Sequence, residues 1–322
     1  MPETFNANDL PSLHLTKLSL PVLDLKECMQ AVKSPVLREV VRTFEENTTN
    51  VLGLAAFPVF AFTKGRESAH HISYLIKALK AVGNTSAYPM KGDLSKKLQE
   101  EASRLIAEED DKIETQLAEE FETEIDMWTK IPGVRSAVRA LLLAVVSASW
   151  TTLETLLADM WGTILNRYPV SLGQRAFEAA PSPDATDVLS GKQIQIGLLA
   201  KHGFDLRGCL GDILKSKFDF TSVSGIQKAY GAIFGESEAL KKSTEVPELR
   251  ELEVVRHLIV HKAGIIDDEY KRRAKCALAV GAPLPIDAIA ASRWASSGIS
   301  SGCGMIRLAD STLADLREPE TR

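Results

Sequence analysis

Apolar residues recur at three- and four-residue steps along most of this chain, the spacing that gathers side chains on one face of a helix. Asp24 to Glu46 reads as one helix or two, and Arg66 to Val82 as another. Gly83 to Pro89 reads as a loop. Asp93 to Lys130 carries Leu98, Leu105, Ile106, Ile113, Leu117, Phe121 and Ile125 at helical intervals with no Gly or Pro between them, which predicts a single long helix. Ala137 to Pro169 predicts a further long helix, and Ile286 to Leu316 a closing one. In the closing helix Ala288, Ala291, Ala295, Gly298 and Gly302 would let a neighbour approach closely. Short extended pieces are expected near Leu13 to Leu25 and Val51 to Phe62, without a convincing signal for strand pairing. Ile131-Pro-Gly-Val134 marks the expected domain junction. The pattern predicts an all-α protein: a mainly helical N-terminal region over 1–130, for which a regulatory role is an expectation separate from the pattern, and a helical bundle over 131–322.

Composition narrows the function classes. The 322 residues are 45% hydrophobic and 25% charged, which is ordinary for a globular protein. A balance of 38 basic against 43 acidic residues argues against a general nucleic-acid coat but leaves room for a local basic groove. Cys28, Cys209, Cys276 and Cys303 are dispersed, with no paired spacing for zinc or redox work. The amino terminus has neither a basic start nor an apolar core for export. The apolar runs Val51 to Phe62 and Ala140 to Trp150 are too short to span a bilayer. A cytoplasmic protein with no membrane partner is the expectation.

The chemistry concentrates between Glu248 and Asp267. Pro247 suits the first turn of a helix, where its missing amide hydrogen is not needed, and Thr244 or Glu245 is placed to cap that start. Leu249, Leu252, Val255, Leu258 and Ile259 form its buried face. Gly264 falls where such a helix stops, so His261 lies in the last turn, where the dipole favours imidazolium. Arg256 and two histidines, His257 and His261, therefore interrupt an apolar run, and polar groups beside a core are costly unless paired or used. Three readings compete. Arg256 pairs with a carboxylate such as Glu253 while the histidines cap the helix end. Alternatively Glu253, His257 and His261, spaced by four, hold a metal. In the third reading an arginine and a histidine carry out acid–base work on a phosphodiester. Arg256 and His261 lie about 140° apart around an ideal helix, yet arginine is long enough to converge with the last turn.

Arg256, four residues, then His261, with the polar His257 directly after the arginine and a Gly and acidic cluster following, resembles the motif of the HEPN superfamily. These are small helical bundles, many of them metal-independent ribonucleases. The segment Lys217 to Ser222, followed by Ile226, Tyr230, Ile233, Phe234 and Gly235, is similar to the stretch preceding the motif helix in such domains. Glu154, on the long Ala137 to Pro169 helix, matches the acidic residue that accompanies the motif in many members. The similarity spans roughly residues 134 to 318.

The resemblance implies an endoribonuclease acting on RNA without metal or cofactor. Its products would be a 2′,3′-cyclic phosphate and a 5′-hydroxyl end. Arg256, His261, His257 and Glu154 would form the active site, and Lys262, Lys271 and Arg272 would contact the RNA. It further implies a homodimer in which two motifs face one cleft. Similar proteins act as toxins or in anti-phage defence, with a regulatory protein or antitoxin as partner. The alternative is a non-catalytic bundle of the same kind that binds a nucleotide or a partner protein.

Overall fold

The computed structural model describes residues 20–81, 119–179 and 208–316, together with 15, 18, 96, 100–104, 117, 200, 201 and 203. Among them no strand forms. Ile265 and Pro283 make one isolated antiparallel bridge, and everything else is helix and connection. The protein is all-α. We number the helices α1 (Val22–Ala31), α2 (Arg38–Ala81), α3 (Pro132–Arg167), α4 (Pro169–Ala179), α5 (Leu210–Lys215), α6 (Val223–Phe234), α7 (Glu238–Thr244), α8 (Pro247–Lys262), α9 (Asp268–Ala274) and α10 (Ala288–Ala314). The expected loop at 83–89 and most of the expected Asp93 to Lys130 helix lie outside the described residues. Within that helix's range, residues 96, 100–104, 117 and 119–128 are helical.

The chain divides into two compact units: residues 1–18, 53–141 and 287–289 in one, and 19–52, 142–286 and 290–322 in the other. This differs from a single boundary at 130/131, and the reason is packing within the larger unit. Phe44 of α2 is 1% exposed. Its ring lies so close to α10 that a Cβ at Gly302 would sit 2.6 Å from its Cζ. Cys28 of α1 donates through Sγ to the Cys303 carbonyl at 3.6 Å, and the Asp310 carboxylate accepts the Lys33 and Ser34 amides at 3.1 and 2.7 Å. Cys28, Lys33, Ser34 and Phe44 are thereby bound to a helix more than 250 positions later.

Val51 to Phe62 belongs to α2 and is not extended. Val51 and Ala55 are buried while Phe57 and Phe60 face outward, a helical rather than alternating arrangement, and α2 runs on through Pro58. Phe62 meets Phe121 edge to face at 5.2 Å, with Arg66 paired to Glu120 at 3.6 Å and to Glu124.

The larger unit is built on α3. Trp150, Leu153, Leu157, Trp161 and Ile164 are essentially sealed. Burying an indole requires a partner for its N–H: Trp161 Nε1 donates to the Ala229 carbonyl of α6 at 2.9 Å, and Tyr230 Oη returns a bond to the Leu157 carbonyl at 2.7 Å. Where α5 crosses α3, Gly211 meets Gly162, and Asn166 Oδ1 accepts the Gly211 amide at 2.7 Å. The small residues of α10 are spent inside this unit, since Gly298 lies against Leu252 and Gly304 against Ser243.

By length and composition α3 is long and apolar enough to cross a membrane, with a mean hydropathy of 1.6 over its best 18 residues, 56% of them buried inside the molecule. Judging the run Ala140 to Trp150 alone therefore underestimated this helix.

Candidate active site

Helix α8 begins where Pro247 predicts, with Glu248 in its first turn. Neither Thr244 nor Glu245 caps it. Val246 occupies that position without a side-chain bond, while Thr244 closes α7, donating to the Leu240 carbonyl at 2.7 Å and accepting Gln227 Nε2 at 3.0 Å. The helix stops one residue before the expected glycine. Ala263 takes the left-handed conformation at φ 51° and Gly264 follows at φ 74°. Their amides reach back to the Ile259 and Leu258 carbonyls at 3.0 and 3.3 Å, satisfying the last turn. Leu249, Leu252, Val255 and Leu258 form the buried face as predicted, whereas Ile259 is only half-buried.

On the edge of that face Arg256 meets Glu154 of α3. Arg256 Nη2 donates to Glu154 Oε2 at 3.3 Å, and both side chains are about three-quarters buried, at 22% and 25% exposed. The same oxygen accepts Trp150 Nε1 at 3.1 Å. Trp150 is fully buried, so the indole fixes the carboxylate and the carboxylate fixes the guanidinium. Arg256 Nε is buried with no hydrogen-bond partner. A buried unpaired donor is destabilising, and here it belongs to a group whose planar N–H array suits phosphate oxygens.

His257 and His261 lie one turn apart on α8, their ring centroids 4.4 Å apart and tilted by 48°. His257 is half-buried and His261 exposed.

Glu253, on the same stripe, does not join them. Its Oε2 accepts the Val223 amide at the start of α6 at 3.0 Å, and its Oε1 accepts Arg273 Nη2 at 2.5 Å. Two of the open readings change accordingly. Arg256 does pair with a carboxylate, but that carboxylate is Glu154. Glu253 is engaged by Arg273 instead of completing a metal site, and among the described residues no group of three or more His, Cys, Asp and Glu is placed to hold a metal ion.

No family model matches the chain, and neither does any curated protein or solved structure. The site is therefore read from its own geometry.

The four expected site residues fall into two pairs, Glu154 with Arg256 and His257 with His261. Of the expected RNA contacts, Lys262 is exposed at the end of α8, Lys271 is half-buried on α9, and Arg272 is exposed and pairs with Glu269 at 3.4 Å. Arg273 serves Glu253. Among the described residues, neither of two clefts on the surface of this unit is lined by Arg256, His257 or His261. The smaller, about 260 Å³, lies beside α8 between Glu251, Tyr270, Arg273 and Trp294.

The turn before α6 is tightly organised. Asp219 accepts Ser222 Oγ at 2.5 Å and the Thr221 amide and hydroxyl at 2.8 and 2.7 Å. Burial pushes its carboxyl up, but these bonds and the charge of Lys228 outweigh that, so it titrates below the usual aspartate value. Trp150, which holds the Glu154 carboxylate, is the member of the candidate site that the sequence pattern did not single out. Its spacing of four from Glu154 was the available signal.

Proposed function

We propose that this protein is a metal-independent endoribonuclease of the HEPN-like kind, with Arg256 and His261 at its active site. One observation carries the reading: Arg256 is anchored through Glu154 to the core helix α3 and sits on the same helix as a pair of adjoining imidazoles, of which His261 is exposed. Glu154 takes one N–H of the guanidinium, and the donors left over suit the charge that builds on phosphoryl oxygens during transfer. His261, in the last turn of the helix, removes the 2′-hydroxyl proton or protonates the leaving 5′-oxygen. The 2′-oxygen forms its bond to phosphorus as the bond to the 5′-oxygen breaks, leaving a 2′,3′-cyclic phosphate and a 5′-hydroxyl. His257 lies beside His261 with its ring tilted against it and acts with it, while Lys262, Lys271 and Arg272 contact the RNA backbone. A homodimer would supply the second copy of the motif, and RNA cleavage of this kind suits a toxin or anti-phage effector.

The test is cleavage of a defined RNA in the presence of a chelator. Arg256→Ala and His261→Ala should each lower the rate by a factor on the order of 10² or more with helicity unchanged by circular dichroism. Wild-type rates in both variants would remove the assignment.

A non-catalytic binding module is the second reading. In its favour, Arg256 is already paired and lines neither cleft. RNA or nucleotide binding that Arg256→Ala abolishes, without any cleavage, would select it.

A further inference from the structure

The larger cleft, about 640 Å³, opens between the end of α4, the turn before α6, α6 itself and α7. Its size is that of a small-molecule site. Two glycines of α6 line it, and they differ in a way that bears on its purpose. Gly225 has a packing reason: a Cβ there would stand 2.2 Å from the Asp219 carbonyl oxygen. Gly231 has none, because a Cβ would meet nothing within 4 Å. It also has no positive φ to require glycine. A glycine inside a helix is destabilising relative to alanine, and one with no steric or conformational cause leaves space open beside the helix. That space is the cleft.

The other walls say what fits. Phe218 lines the cleft, and its ring is held against Trp161 with centroids 4.7 Å apart. Leu240 and Ala232 add apolar surface. Three lysines and three carboxylates line the rim, but two of the carboxylates are committed: Asp219 to Ser222 and Thr221, and Glu236 to Lys241 at 4.0 Å. Among the described residues Lys217 has no carboxylate partner.

We propose that the cleft walled by Phe218, Lys217 and Gly231 is a binding site for a small anion with a flat aromatic body. The aromatic part lies against Phe218 in the space left by Gly231, and Lys217 meets the anionic head. The site is separate from Arg256 and stands whether or not the protein cleaves RNA.

Calorimetric titration of the full chain with adenosine 5′-monophosphate and with 1-naphthoate tests it, separating a phosphate from a carboxylate head. At least one should bind with one-to-one stoichiometry. Lys217→Ala should weaken that binding tenfold or more. Gly231→Leu, which places a side chain in the cleft and improves helix propensity, should abolish it while melting no lower than the wild type. Should Gly231→Leu fail to fold, the Lys217→Ala result decides. Absence of binding of either probe at millimolar concentration overturns the proposal. So does binding at wild-type strength in Lys217→Ala or in a folded Gly231→Leu.

Discussion

Glu154 Oε2 is the point on which the candidate site turns, because it accepts both Trp150 Nε1 and Arg256 Nη2. Trp150→Phe keeps an aromatic ring in the core but removes one of those donors and some volume. It should cost about 1–3 kcal/mol in urea-induced unfolding. Under the proposed ribonuclease reading, RNA affinity should fall with it, because a looser carboxylate no longer fixes the guanidinium. Unchanged stability would mean that the indole bond contributes little. Tyr270 provides a second residue-level test. Burial, followed by the charges of Cys276 and Glu251, pushes its phenol up to about 12 from an ordinary 10.0. The native state therefore holds this proton more tightly than the unfolded chain. The resulting stability is complete below about pH 10 and is lost as the pH rises through about 12. Tyr270→Phe should remove that part of the alkaline loss in unfolding measured between those limits, and an unaltered profile would show that the phenol does not titrate as described.

At the level of helices, contacts are set by close backbone approach as much as by side-chain volume. Where α5 crosses α3, a Cβ at Gly211 would lie 2.0 Å from the Gly162 carbonyl oxygen. Gly211→Ala should cost about 1–3 kcal/mol, toward the upper end because the obstacle is backbone and not a movable side chain. Thermal melting would show it, and a variant as stable as the wild type would mean that the crossing relaxes freely. Helix α8 was legible from Pro247 and its apolar spacing because both are local signals. Val51 to Phe62 was misread because a short apolar run fits a strand or a helix equally, and burial of Val51 and Ala55 on one side is knowable only from the neighbours. Thr244 looked like a cap for α8 but closes α7 instead, since its hydroxyl finds the Leu240 carbonyl one turn behind it.

Across the whole molecule, what escaped the sequence reading is what joins distant residues. The all-α class follows from periodicity alone. That Arg256 pairs with Glu154 rather than Glu253, 102 positions apart in one case and three in the other, depends on how α8 lies on α3. No local spacing encodes that. Asp310 is another such link, tying the Lys33 and Ser34 amides to α10. Asp310→Ala should destabilise the protein by about 1–2 kcal/mol in chemical denaturation, since it leaves two amides without their charged acceptor. A neutral result would show that water replaces the carboxylate. The bond from Cys28 to the Cys303 carbonyl spans 275 positions, and that separation governs how the chain is made. A nascent chain that has produced Cys28 and Phe44 must leave them without their α10 partners until that helix emerges from the ribosome, and contacts closed over so long a loop form slowly. During that interval the early helices are ready targets for chaperones and for aggregation.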